Sequence, residues 1–361
     1  MSNRLLVMAG GTGGHVFPGL AVAQFLKEKG WQVEWLGTAD RMEAQLVPKH
    51  GFAINFINIS GVRGNGLVRL CKAPFKILHA TWQAIRILRQ VKPDVVLGMG
   101  GYASGPGGIA AWLSGIPLVL HEQNAAPGLT NKLLARIAKK VLTAFDNANW
   151  LQGNAKKQQV GNPVRAAFAE ISEKRELQDE LRVLVSGGSL GAKVLNQCVP
   201  EAVKQLTQRN VQIWHQAGKG NSEAVLAAYK AGQVTGDNLK VTDFIDEMVA
   251  AYEWADVVIC RAGALTVSEI ALAGRCGIFV PLPHAVDDHQ TKNAQYLVTQ
   301  GAGILLPQSQ LESGQLIAIL DNLNSERERI IQISDKARQC GERSATEKVA
   351  NVCIEQVGAS R

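Results

Sequence analysis

The chain has 361 residues, which at the usual domain size points to two domains rather than one. Hydrophobic residues at 46% and charged residues at 19% exclude a disordered chain, and 36 glycines without a fixed period exclude collagen and low-complexity repeats. Thirty-eight Lys and Arg against 31 Asp and Glu leave a formal charge of +7, suited to nucleotide phosphates, nucleic acid or an acidic membrane surface.

In chain order, short β-rich runs are predicted at residues 5–8, 33–36, 94–97, 118–120 and 141–144. A second set follows at 183–185, 211–214, 241–244, 257–260 and 278–280. Helical spacing fills the intervals at 16–29, 67–90, 194–208, 265–273 and 291–300. Strands alternating with helices imply an α/β chain with parallel sheets covered on both faces. Both halves open alike, with an apolar strand, a glycine-rich turn and a helix, at Gly10-Gly11-Thr12-Gly13-Gly14 and again at Gly187-Gly188-Ser189-Leu190-Gly191. The expectation is two doubly wound domains, with the polar stretch 152–159 and Gly161-Asn162-Pro163 as the linker.

The six cysteines form no C-x-x-C pair, so neither a zinc site nor a disulfide framework is indicated, and a reduced compartment fits. The N-terminal apolar run is too short for a signal-peptide core, and the apolar stretch 108–120 is broken by Ser114, Gly115 and Pro117. No membrane-spanning helix is predicted.

Glycine turns between strand and helix let backbone N–H groups approach phosphate oxygens. The dinucleotide fingerprint fails because Val16 stands at the third glycine position, and no Walker A sequence occurs. His15 opens the helix after the first turn and is a candidate base, with a structural role as the competing reading. His121-Glu122-Gln123-Asn124 ends a strand where α/β folds place ligands. Arg261-Ala262-Gly263 leads into Ala264, Leu265, Thr266, Val267, Ser268 and Glu269, where a helix start would hold a diphosphate and Glu269 a ribose diol. The competing reading of Thr266 and Glu269 is a capping box. Asp287, Asp288, His289, Gln290 and Asn293 suit sugar hydroxyls, and the absence of a D-x-D pair argues against a metal-held diphosphate.

These motifs, with Gly161-Asn162-Pro163-Val164-Arg165 and the glycines of 98–108, resemble the MurG family over nearly the whole chain. The resemblance implies a GT-B fold of two Rossmann-like domains facing across a cleft. Residues 1–160 would bind acceptor and membrane, residues 161–340 the UDP-sugar, and a helix within 341–361 would return to the first domain. It implies N-acetylglucosamine transfer from UDP-N-acetylglucosamine to an undecaprenyl-linked muramyl-pentapeptide in peptidoglycan synthesis, without cofactor or metal. By resemblance, Arg165 and the Ile245 backbone lie by the uracil, Glu269 binds the ribose, and Ser189 with the Ala264, Leu265 and Thr266 amides takes the diphosphate. Asn124 and Gln290 bind sugar hydroxyls. Thr12, Gly13, Gly14 and His15 face acceptor and donor sugar, with His15 or Glu122 as base. Leu190 departs from the family's frequent Gln.

Between Glu43 and Asp94 there is no acidic residue, while Lys49, Arg63, Arg69, Lys72, Lys76, Arg86, Arg89 and Lys92 are basic. Leu78, Trp82 and Ile85 share a helical face within this segment. Packing into the domain is one reading of that face. Binding of residues 63–92 to anionic lipid is the other, which places the protein peripherally on the cytoplasmic side of the inner membrane. Two further functions compete with this reading: an epimerase acting on the same donor, and a non-catalytic nucleotide- or nucleic-acid-binding module. The second is disfavoured because the basic segment lacks paired aromatics, so no nucleic acid partner is expected.

Overall fold

The computed structural model of the chain describes residues 2–60, 66–146, 156–172, 177–188, 191–207, 210–283 and 285–358. Ser189, Leu190 and Arg63, and the side chains of Arg69 and Lys72, lie outside that description. The chain divides into two units, Met1–Arg165 with Ser344–Arg361, and Ala166–Arg343.

The first unit runs β1 (Arg4–Ala9), α1 (Gly13–Glu28), β2 (Gln32–Gly37), α2 (Glu43–Lys49), β3 (Ala53–Phe56) and α3 (Gly66–Val91). It continues with β4 (Val95–Gly100), α4 (Ser104–Leu113), β5 (Leu118–Glu122), α5 (Leu129–Leu134), β6 (Lys140–Thr143) and β7 (Lys157–Gln159). The second unit contains β8 (Leu181–Ser186), α6 (Lys193–Lys204), β9 (Val211–Gln216), α7 (Ser222–Ala231), β10 (Leu239–Thr242), α8 (Met248–Trp254) and β11 (Val257–Cys260). After these come α9 (Ala264–Ala273), β12 (Cys276–Phe279), α10 (His289–Val298), β13 (Ile304–Leu305), α11 (Gln308–Glu312), α12 (Gln315–Ser325) and α13 (Arg327–Cys340). The final helix, α14 (Ala345–Gly358), belongs to the first unit.

Among the described residues the first sheet has the order β3-β2-β1-β4-β5-β6-β7 and the second β10-β9-β8-β11-β12-β13, every pairing parallel. Helices cover both faces of the first sheet, so its central strands are apolar on both sides. Leu5, Val7 and Ala9 pack with Val16 and Leu20 of α1 and with Val349 and Val352 of α14. Leu6 and Met8 face the other way, against Ala80, Ala84 and Leu88 of α3 and Ala110 and Ala111 of α4. Complete burial of each such leucine contributes roughly 1.5–3 kcal/mol.

Four local expectations are corrected. The strand placed at 241–244 is β10, two residues earlier. Asp243 leaves the sheet because its carboxylate accepts the Gly220 and Ser222 N–H groups at 2.7 and 3.0 Å. Lys157–Gln159, read as linker, pairs with β6 at the sheet edge. The edge strands β3 and β13 are additional to the predicted ones, being short and only partly buried. On α3, Ile85 packs against the core while Leu78 and Trp82 stand 66% and 52% exposed, so the three do not share one environment.

Candidate functional site

Strand order reverses between β1 and β4 in the first sheet and between β8 and β11 in the second. Open α/β sheets bind ligands beyond the strand C-termini at such switch points. The glycine-rich turns and the start of α9 stand there.

In the first unit a register shift pairs Ala9 with Gly100 and draws the turn after β4 against the turn after β1. Gly10 N–H donates to the Gly100 carbonyl at 3.3 Å. Gly101 has φ +93°, and a Cβ there would stand 2.5 Å from the Gly10 carbonyl oxygen, so this approach needs glycine. His15 lies in the first turn of α1, with its ring against Gly100, where a Cβ would be 2.8 Å from Cδ2. His15 Nδ1 is 3.1 Å from the Gly10 carbonyl. A carbonyl only accepts, so Nδ1 carries the proton and Nε2 the lone pair. Thr12, the N-cap of α1, has its hydroxyl 3.5 Å from the same Nδ1. Thr12, Gly13, Gly14 and His15 are thus one loop and helix start.

A residue absent from the sequence candidates shapes this loop. Glu43, at the start of α2, is 1% exposed although acidic. Its Oε2 accepts the Gly11 N–H at 2.9 Å, and its Oε1 accepts the Thr38 N–H and hydroxyl at 3.0 and 2.8 Å. The carboxylate fills room that Gly10 and Gly37 leave by lacking side chains. An acid in a first helical turn ordinarily signals an exposed partner of the helix dipole, so sequence alone gave no cue to this burial.

The 121–124 motif divides. His121 is fully buried, and its Nε2 donates to the Gly161 carbonyl at 2.9 Å while Nδ1 accepts from Gln123 Nε2 at 3.1 Å. Burial pushes its pKa down to about 4, with the Gly161 contact opposing. Glu122 is also buried. Its Oε1 accepts the Asn124 N–H at 3.0 Å and side-chain amide at 3.4 Å, and its Oε2 accepts the Gly128 N–H at 3.1 Å and the Asn131 amide at 2.8 Å. Four donors match the acceptor capacity of a carboxylate. The expectation of Glu122 as an alternative base is corrected: it ties the end of β5 to Gly128, the N-cap of α5. Asn124, half-buried, is oriented by that same carboxylate.

In the second unit α9 begins after Gly263, an N-cap with φ −64° and ψ 144° and no side chain to satisfy the first-turn amides. Those amides, from Ala264, Leu265 and Thr266, form the positive end of the helix. Because Gly263 is the cap, the capping-box reading of Thr266 and Glu269 is corrected. Val267 is buried, and the Ser268 hydroxyl donates back to the Ala264 carbonyl at 3.0 Å. Glu269 is buried in the second turn, with Tyr252 Oη 3.5 Å from its Oε2. Burial first, and the Glu269 charge second, push the Cys260 thiol up.

Gln290 Oε1 accepts the Leu282 N–H at 2.9 Å. Asn293 is corrected from sugar contact to turn anchor, since it is fully buried and donates to the Ala262 carbonyl at 3.1 Å. Arg261 donates to the carbonyls of Val280 and Pro281 and to Gln308. Ile245 is buried in the second unit, whereas Arg165 belongs to the first, its guanidinium 6.0 Å from the Phe17 ring centroid. Beneath the turn after β8, buried His215 bonds Tyr229 Oη at 2.9 Å and Asn196 Oδ1 at 3.1 Å, another network the sequence did not announce.

Residues 5–143 match the glycosyltransferase family 28 N-terminal domain, and residues 182–351 the family 28 C-terminal domain. The UDP-N-acetylglucosamine--N-acetylmuramyl-(pentapeptide) pyrophosphoryl-undecaprenol N-acetylglucosamine transferase of Shewanella loihica is 57% identical over 356 residues, covering 97% of this chain and 96% of the relative. The crystal structure of Acinetobacter baumannii MurG is 43% identical, with TM-score 0.82 over 98% of this chain and 99% of that one. The chain belongs to the MurG family. MurG-family membership, with two parallel-sheet Rossmann-like units, makes it a GT-B glycosyltransferase. A UDP-N-acetylglucosamine 2-epimerase shares the fold at 14% identity, with TM-score 0.65 over 99% of this chain and 97% of that one. Architecture alone therefore does not separate the two activities, and the weight falls on the site.

Proposed function

We propose that this chain transfers N-acetylglucosamine from UDP-N-acetylglucosamine to the C4 hydroxyl of the N-acetylmuramyl sugar of an undecaprenyl-diphosphate-linked acceptor, in peptidoglycan synthesis. The observation that carries this reading is that each unit carries a device at its own switch point. One presents His15 with its lone pair on Nε2, and the other presents a helix N-terminus followed by buried Glu269. The substrates are those in the name of the Shewanella loihica relative.

The second unit binds the donor. First-turn amides of α9 take the diphosphate, Glu269 accepts from the ribose hydroxyls, and Gln290 serves sugar hydroxyls. His15 Nε2 removes the C4 proton as the oxygen attacks the anomeric carbon. The bond from that carbon to the UDP oxygen breaks, and the electron pair leaves with UDP. The anomeric carbon passes through oxocarbenium character, and one displacement inverts the α-linked donor to a β-1,4 product. Charge developing on the departing diphosphate is met by the α9 amides and helix dipole.

The chain works at an anionic membrane surface on the cytoplasmic side of the inner membrane. Among the described residues no helix is long and apolar enough to cross a membrane. On α3, Phe75, Leu78 and Trp82 are 74%, 66% and 52% exposed, with Lys76 and Arg89 also exposed and Arg86 stacked 4.8 Å over Trp82. Exposed apolar side chains among bases suit interfacial binding.

The test is radiolabelled UDP-N-acetylglucosamine with the lipid-linked acceptor. Label in a lipid-extractable disaccharide product is the expected outcome. Donor epimerised without any need for acceptor, or no transfer at all, overturns the reading.

A further inference from the structure

A groove of about 550 Å³ opens on the first unit, within the roughly 300–1,000 Å³ common for ligand sites. Its walls include Ile59 beyond β3, Ile77 of α3, Tyr102 and Ile109 at α4, and Leu129 and Leu133 of α5. Among the described residues, none of the lining side chains is charged. Tyr102, Leu129 and Leu133 are 41%, 50% and 52% exposed, so large apolar groups stand open to water around a concave surface.

The groove's position is informative. Tyr102 follows directly on Gly101, which rests on the Gly10 carbonyl, and the ring of His15 lies on Gly100. One end of the groove is therefore built from the same turn that holds the base. The wall formed by α5 is fixed by Glu122, whose Oε2 accepts from both Gly128 and Asn131.

We infer that this groove takes the first isoprene units of the acceptor's polyprenyl chain, next to its diphosphate. This extends the transferase reading and rests on it. A bilayer is a flat partner, met by the protruding Phe75, Leu78 and Trp82. A concave channel lined by branched aliphatic side chains is filled instead by a flexible, methyl-branched chain. The apolar side chains of the described lining favour a hydrocarbon chain over a lipid headgroup, whose charge would lose hydration against them. The protein then reads the lipid of its acceptor directly, beyond simply meeting it at the membrane.

The test fills the groove from its rim. Thr130 on α5 lines the groove and is exposed, so Thr130→Trp adds bulk there with little cost to the fold, and Thr130→Ser is the control. Calorimetry compares farnesyl diphosphate with inorganic diphosphate, in buffer free of vesicles. The wild type and Thr130→Ser should bind the prenyl compound about tenfold tighter or more, and Thr130→Trp should lose that margin. In turnover, Thr130→Trp should raise the KM for a prenyl-linked acceptor by about tenfold while leaving the methyl-capped diphosphate acceptor and the thermal midpoint unchanged. Equal wild-type affinity for the two diphosphates overturns the inference, as does an equal effect of Thr130→Trp on both acceptors. Failure of the transferase reading shows separately, as no turnover of either acceptor by the wild type, while the calorimetric comparison still decides the groove.

Discussion

His15 and Glu269 are the side chains on which the proposed chemistry turns. The Gly10 carbonyl holds the His15 Nδ1 proton and puts the lone pair on Nε2, the atom proposed as base. His15→Ala should lower kcat by roughly 10²–10⁴-fold with little change in donor KM. Steady-state kinetics check this, and near wild-type turnover would remove His15 from the proton path. Glu269→Ala should raise donor KM by the loss of a charged acceptor to the ribose, worth roughly 1.5–3 kcal/mol; an unchanged donor KM would exclude that contact. The buried histidines govern stability rather than catalysis. Burial holds His121 at about 4 and His215 at about 3, against 6.5 in an exposed chain. The unfolded chain therefore binds these protons first as pH falls. Stability is fully present above pH 6.5 and declines on acidification towards 4 and then 3, by at most about 1.4 kcal/mol per histidine per pH unit. Thermal midpoints across this range should fall less steeply for His121→Gln, whose side-chain amide still donates to Gly161. Parallel curves for the two proteins would contradict the account.

At the scale of elements, the fold converts glycine positions into loop geometry. The turn after β1 is held from one side by the turn after β4, through Gly101 against Gly10, and from the other by Glu43 at the start of α2. Glu43→Gln keeps the volume but replaces one carboxylate oxygen with a donor. Either the Gly11 N–H or the Thr38 pair then faces an N–H group, leaving a buried mismatch of about 1–3 kcal/mol. Turnover should fall through displacement of the loop carrying His15, with donor KM nearly constant, and the thermal midpoint should drop. A variant with lowered midpoint but normal kcat would show that Glu43 serves the fold alone. The second unit uses backbone in the same way. Gly263 starts α9 without a side-chain cap, and buried Asn293 of α10 pins the preceding turn at Ala262.

For the molecule as a whole, the proposed membrane surface is a property of one unit. Phe75, Leu78 and Trp82 are exposed while Ala80, Ala84 and Leu88 of the same helix are buried, so α3 has a core face and a free apolar face. Replacing Leu78 and Trp82 with Ser and Lys76 with Glu should weaken binding to anionic vesicles, each basic residue near the surface contributing ~1 kcal/mol. Co-sedimentation at rising salt measures this. Wild-type binding that is indifferent both to salt and to these substitutions would locate the membrane surface elsewhere.

Much of the architecture was legible because it is written in local composition. Runs such as Leu5–Ala9, buried on both faces, read as continuous apolar stretches, and glycines mark the turns where backbone must approach backbone. The family-specific motifs lie in those same turns, so the loops at both switch points and the start of α9 were visible without coordinates. Edge strands were not, since β7 is polar and β13 has two residues. Nor was the division of labour within α3, where period alone cannot tell Ile85, packed on the core, from Trp82, which is exposed. Polar side chains were the hardest to read. Glu43, Glu122, His121 and Asn293 became anchors because partners distant in the chain, or a neighbouring helix start, met them. A carboxylate's role depends on which N–H groups surround it and on its distance from water, and only the packed tertiary structure decides both.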